Sequence, residues 1–174
     1  NFGGYASQRK GNFGYAILGT LNFQKAYDVD KDDFSESPKS NNFTINPRIF
    51  YYPNETTTFM LGNTFTKGTM KGGDMNVITR NADTFHTYFE KNETIRNTTT
   101  FEFDKRFTEN NSFKLKQSLS FFDRKINIPN YEFAGFNTNI FTDASYLWTT
   151  KKQTIITGLN FQYDDFKQKT ISTL

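Results

Sequence analysis

The residues best suited to chemistry come early, in Asp28-Val29-Asp30-Lys31-Asp32-Asp33. Asp28, Asp30 and Asp32 hold the one-three-five spacing with which a calcium loop sets oxygens around a hard cation. The rest of that pattern is missing. The sixth position, where glycine makes the sharp turn, is Asp33, the twelfth is Lys39 instead of a bidentate glutamate, and no helical period flanks the loop. Two readings stand side by side: a weak calcium site within residues 28–36, and a solvated acidic loop tip between strands. No other cofactor is indicated.

A second set lies between Met70 and Glu93. Asp74, Met75, Arg80, His86 and Tyr88 combine charge, sulfur and aromatic surface in the way a ligand-recognition loop does. His86 is the only histidine; a lone loop histidine is ordinarily solvated, and iron or haem ligation is its sharper alternative. Gly72 and Gly73 serve backbone turning. With one histidine, no cysteine and no Gly-rich phosphate loop after a strand, no catalytic constellation forms, and the chain reads as a non-enzyme.

The elements that must carry these residues are strands. In 174 residues the chain has 21 Phe and 9 Tyr but few aliphatics, set among Thr, Asn, Asp and Lys. Aromatic and polar at once suggests strands with one greasy and one wet face. Thr94 to Phe107 is the clearest case: Ile95, Thr99, Phe101, Phe103 and Phe107 are odd, and Arg96, Thr98, Thr100, Glu102, Asp104 and Arg106 are even. Phe113, Leu115, Leu119 and Phe121 repeat the period against Lys114, Lys116, Ser118 and Ser120. Further strands are expected over 2–9, 13–27, 42–52, 56–69, 136–149 and 153–167. That makes about eight antiparallel strands and no helix, with residues 82–90 the least certain stretch. Arg48, Arg96, Glu102, Arg106, Lys114, Lys116 and Arg124 share the polar face, either as wall charges or as a translocation path.

Length separates the fold classes. The fourteen residues from Thr94 to Phe107, at about 3.3 Å each, span about 46 Å, or about 35 Å of height at a tilt of about 40°. Globular strands are far shorter, whereas membrane barrels use such lengths. Connections near residues 9–12, 53–55, 108–111 and 150–152 are short, and those at 28–41, 70–93 and 127–135 are longer. Phe13, Tyr51, Tyr52, Phe107, Phe113 and Trp148 crowd the short-turn end, the expected place of an interfacial aromatic girdle. The net charge of +3 is dispersed and gives no basic block for nucleic acid.

At this point a resemblance enters. The acidic loop with Asp28, Asp30, Asp33, Ser35 and Pro38, then Asn46-Pro47-Arg48, Tyr51-Tyr52 and Gly72-Gly73-Asp74, resembles the barrel region of TonB-dependent outer-membrane receptors, over about residues 13–75. The resemblance implies a barrel of about 22 strands in a bacterial outer membrane, filled by a plug domain. It implies active uptake, energised through TonB, of a scarce large ligand such as an iron–siderophore, haem, cobalamin or glycan. Its partners would be outer-membrane lipid, the plug and the remaining strands, and TonB. This sequence carries no plug and no TonB-contact segment, and it ends in TISTL where such barrels place an aromatic. Residues 1–174 are therefore expected to be part of one barrel domain. Two alternatives remain: a complete eight-stranded outer-membrane barrel with a binding or adhesion role, and a soluble β-rich module whose phenylalanines pack on protein.

Overall fold

The computed structural model describes residues 1–80 and 83–173. Eight strands follow in chain order: β1 (Phe2–Lys10), β2 (Phe13–Gln24), β3 (Lys39–Asn54), β4 (Thr57–Gly73), β5 (Phe89–Arg106), β6 (Asn111–Ile128), β7 (Tyr131–Thr149) and β8 (Thr154–Thr173). Each pairs antiparallel with its neighbour in sequence, so one sheet runs in the order β1 to β8. The sheet is not closed, because β1 and β8 each pair on one side only. The all-β, eight-stranded antiparallel expectation holds; the alternative of a complete eight-stranded barrel would need β1 to pair with β8, and among the described residues it does not.

Two local expectations are corrected. Residues 127–135 form no long connection: β6 runs to Ile128 and β7 starts at Tyr131, leaving only Pro129 and Asn130 to turn the chain. Asn130 takes φ 62°, a left-handed value that asparagine tolerates. The expectation of no helix also fails, by one turn: α1 (Met75–Thr79) sits in the connection between β4 and β5. In the stretch 82–90, residue 82 lies outside the described residues, 83–88 are irregular and 89–90 already belong to β5.

The register sets the two faces. Phe13, Tyr51, Phe59, Phe103, Leu115, Ala144 and Leu159 succeed one another as direct partners from β2 to β8. They lie on one face, and Arg48, Gly62, Thr100 and Ser118 form a matching row on the other. Pro47 sits in the middle of β3 without an N–H to give. The Asn46 side chain supplies a donor instead, its Nδ2 reaching the Asn63 carbonyl at 3.2 Å.

The sheet has no hydrophobic core. The only buried apolar side chains among the described residues are Met60, Val77, Ile78 and Ala134. Phe13, Ile49, Leu61, Leu159 and Phe161 are more than half exposed, and no other element covers their face. The chain exposes 12092 Å². A compact monomer of 20.3 kDa exposes about 8,800 Å². The excess, about 3,300 Å², comes from a single layer open on both sides.

The apolar residues form a band that crosses the hydrogen-bonded rows at an angle. Its lower edge is Phe13 on β2, but by β8 it has moved from Leu159, the residue in Phe13's row, to Ile155. Its upper edge is Phe23 on β2 and Tyr163 on β8, and Tyr163 lies in the row of Leu119 and Ile140, well below Phe23. A level band across leaning strands produces this offset. A drop of about five residues over six strand spacings corresponds to a lean of about 30°.

Candidate functional site

The sequence-predicted charges of the wall all fall on the polar face. Lys114 meets Asp104 at 3.1 Å, Glu102 pairs in register with Lys116, and Lys116 pairs with Asp143. Arg96 lies over the Phe122 ring at 4.3 Å. Arg124 Nε donates to Asn92 Oδ1 at 3.2 Å, and Arg48 Nε to Asn46 Oδ1 at 2.9 Å. Arg106 closes the lower end of β5, opposite Ser112. A row of amide and hydroxyl side chains crosses the same face between Arg48, Glu102 and the lysines on one side and Arg96 and Arg124 on the other, and it ends at Asp164 on β8. Asn46 hydrogen-bonds Thr64, Thr98 bonds Ser120 at 2.8 Å, and Asn139 Nδ2 reaches Asp164 at 3.1 Å. Tyr52 belongs here too, stacked with Phe50 and capped by Arg9 at 3.9 Å, so it leaves the aromatic row that Phe13 and Tyr51 share with Phe59 and Phe103.

The two long connections, 25–38 and 74–88, meet at one end of the sheet and bind each other through the backbone. Ser35 N donates to the Gly73 carbonyl and Gly73 N to Ser35 Oγ, both at 2.9 Å. Met75 N reaches the Asp33 carbonyl at 2.9 Å, and Phe34 faces Tyr88 with ring centroids 6.1 Å apart. Asp74, 6% exposed, accepts from Asn76 N at 2.8 Å and caps α1, so its carboxylate serves the fold. Arg80 ends that helix and is exposed. The expected ligand-contact residues therefore cluster in one region, but Asp74 and Tyr88 are held in it by structural contacts.

His86 has a partner that spacing did not reveal. Its Nδ1 lies 3.1 Å from Asp83, whose carboxylate also accepts the backbone N–H groups of Phe85 and His86 at 2.8 Å. Those backbone bonds, with the imidazole, hold the Asp83 carboxyl below its ordinary range, and the hydrogen bond to Asp83 raises the His86 imidazole. This is a tight solvent-exposed turn, and the imidazole is engaged within it.

The acidic loop draws in a fourth carboxylate, Glu36. One ligand atom from each of Asp28, Asp30, Asp32 and Glu36 lies within 4.8 Å of the others. Asp28 accepts from the N–H groups of Lys31 and Asp33 at 2.6 and 3.0 Å, and Glu36 from Val29 N at 2.6 Å. Lys31 and Asp33 take φ 65° and 69° to make the fold-back. The negative charge of Asp32, ahead of desolvation and Glu36, raises the Asp30 carboxyl above its ordinary range. Glu36 stands eight residues from Asp28, a distance that only the loop's reversal closes.

No family model, curated protein or solved structure matches this chain. The site's chemistry rests on its own geometry: a charged and hydroxyl-lined face below, and above it a joined pair of loops carrying an acidic pocket of oxygens.

Proposed function

We propose that the sheet is a wall segment of a bacterial outer-membrane β-barrel, and that the barrel is a TonB-dependent uptake receptor. One observation carries the membrane reading: an uncovered apolar band crosses β2 to β8, strands of 12 to 20 residues, with a polar face behind it. From Phe13 to Phe23 the band measures about 33 Å along β2, or about 29 Å in height at the lean of about 30°. That is comparable with the apolar belt of about 25 Å on such barrels. A soluble module would have to lay protein on the band, and none of this chain's elements does so. The complete eight-stranded barrel would need β1 to pair with β8, and it is not favoured by a sheet open at both.

The uptake reading adds the resemblance over residues 13–75 and the joined loops above the polar face. In that reading the loops meet a scarce large ligand and the polar face surrounds a plug, with Arg96, Glu102, Lys114 and Lys116 along the inner wall. The neutral face between the charged rows suits a ligand rich in hydroxyl and amide groups. The test has two stages. The full-length protein should fractionate with outer membranes and migrate faster on an unheated gel than on a heated one. Cells lacking it should lose growth on one member of a panel of iron chelates, haem, cobalamin and glycans. Recovery in the soluble fraction, with no heat-dependent migration, would reject the wall; unchanged growth across the panel would reject uptake alone.

A further inference from the structure

Three lysines stand in line on the apolar side of the sheet. Lys39 on β3 pairs directly with Lys71 on β4, and Lys71 pairs directly with Lys91 on β5. Their Cα atoms succeed one another about 5 Å apart. Like charges set directly opposite on neighbouring strands repel, and the repulsion is relieved by an anion held among them. Lys91 has a carboxylate neighbour, Glu93 at 2.9 Å. Lys39 and Lys71 have no carboxylate partner among the described residues, and Lys71 Nζ donates to the Val77 carbonyl at 2.7 Å. Lys67 adds another ammonium on the same face, nearer the band, opposite Ile95.

The row stands at a particular height. Lys39 lies four residues beyond Phe43, the last apolar residue of the band on β3, and Lys91 lies four residues beyond Ile95 on β5, with Phe89 following on the same face and Lys71 Nζ 5.3 Å from its ring. Four residues are about 13 Å along a strand and about 11 Å in height at that lean. Headgroups occupy a zone about 5 to 8 Å thick outside the hydrocarbon. Lysine stems reaching back toward the band bring their ammonium groups into that zone.

The geometry points to a binding site for the phosphate of a lipid headgroup, gripped by Lys39, Lys71 and Lys91. A soluble anion is the poorer occupant, because these side chains share the face of Phe43, Phe65 and Ile95 and not the polar one. The inference rests on the wall reading and adds a lipid preference to it.

The test places the full-length protein in phosphatidylcholine discs doped with a minor share of phosphatidic acid, whose headgroup is a bare phosphate. Native mass spectrometry reads the lipid retained after extraction. The parent protein should keep phosphatidic acid selectively, and K39Q/K71Q/K91Q should lose about tenfold or more of it. K114Q/K116Q, altered on the opposite face, should keep it. All three proteins must show the same heat-dependent migration, which establishes that the variants fold. Equal retention by the triple variant, or displacement of the lipid by free inorganic phosphate at matched concentration, overturns the site. A parent protein that inserts but shows no preference overturns this inference alone, whereas failure to insert overturns the wall reading beneath it.

Discussion

Gly73 and Tyr88 meet backbone to backbone where β4 gives way to the loop that leads into β5. A Cβ on Gly73 would lie 2.8 Å from the Tyr88 carbonyl oxygen, and the glycine holds φ 115°. The same peptide bonds Ser35 from the other loop, so one residue without a side chain joins both connections. Gly73→Ala should cost about 1 to 3 kcal/mol of local stability. Limited proteolysis is the measure: cleavage within 25–38 and 74–88 should accelerate together while the strands stay protected. Cleavage confined to one loop would show that the junction does not couple them.

The two faces of β5 make the sharpest contrast for labelling. Single cysteines at Thr99, Phe101 and Phe103 should resist a water-soluble maleimide in membranes and take up a lipid-borne probe. Cysteines at Thr98, Thr100 and Glu102 should do the reverse. Arginine at Phe101 should destabilise the folded protein by about 2 to 4 kcal/mol, and arginine at Thr100 by less than about 1 kcal/mol. Urea-dependent folding into vesicles measures both. A pattern without alternation would remove the lipid-facing assignment.

The Asp83–His86 turn has a pH window whose edges follow from the two shifts. His86 is raised by its bond to Asp83, so its contribution is complete below its ordinary 6.5 and is lost as pH rises through the higher folded value. Asp83 is lowered, first by the His86 backbone N–H, so its contribution is present above its ordinary 3.8 and is lost as pH falls through the lower folded value. Amide exchange of residues 83–88, corrected for intrinsic rates, should therefore be slower at pH 5 than at pH 8. His86→Ala should abolish the difference; an unchanged difference would assign the protection elsewhere.

The acidic pocket, like His86, loses stability as pH rises, and it also allows a cation test. Asp30 is raised by Asp32, so protonation stabilises the folded loop, fully below its ordinary 3.8 and progressively less as pH rises through the folded value. At neutral pH a calcium ion should replace that proton in relieving the repulsion. Millimolar calcium should slow proteolysis of residues 28–36, magnesium should do so less, and Asp30→Asn should protect the loop without calcium while weakening the response. No calcium effect on either protein would leave a plain solvated loop.

The period of two made the strands legible because alternation survives wherever one face meets apolar surroundings and the other water. Thr94 to Phe107 lies almost entirely within β5 for that reason. The turn at Pro129-Asn130 was hidden because Ile126, Ile128, Tyr131 and Phe133 read equally well as strand ends or as loop hydrophobics. Only the left-handed asparagine settles it. One helical turn at 75–79 is too short to show a period, and its evidence is a cap at Asp74. Glu36 and Asp83 were missed for another reason: each reaches its partners through a reversal of chain direction, which spacing along the sequence does not encode. The lysine row was equally invisible, since Lys39, Lys71 and Lys91 are far apart until two registers align them.

The raw borders along β1 and β8 have a practical consequence. Within the described residues each pairs on one side only, next to an uncovered apolar face. Prepared by itself in aqueous buffer, this stretch of polypeptide should stack edge to edge into insoluble ribbons. A detergent micelle will shield the surface but leave the borders reactive, so a synthetic peptide complementary to β8 should act as a stopper and keep the particles single.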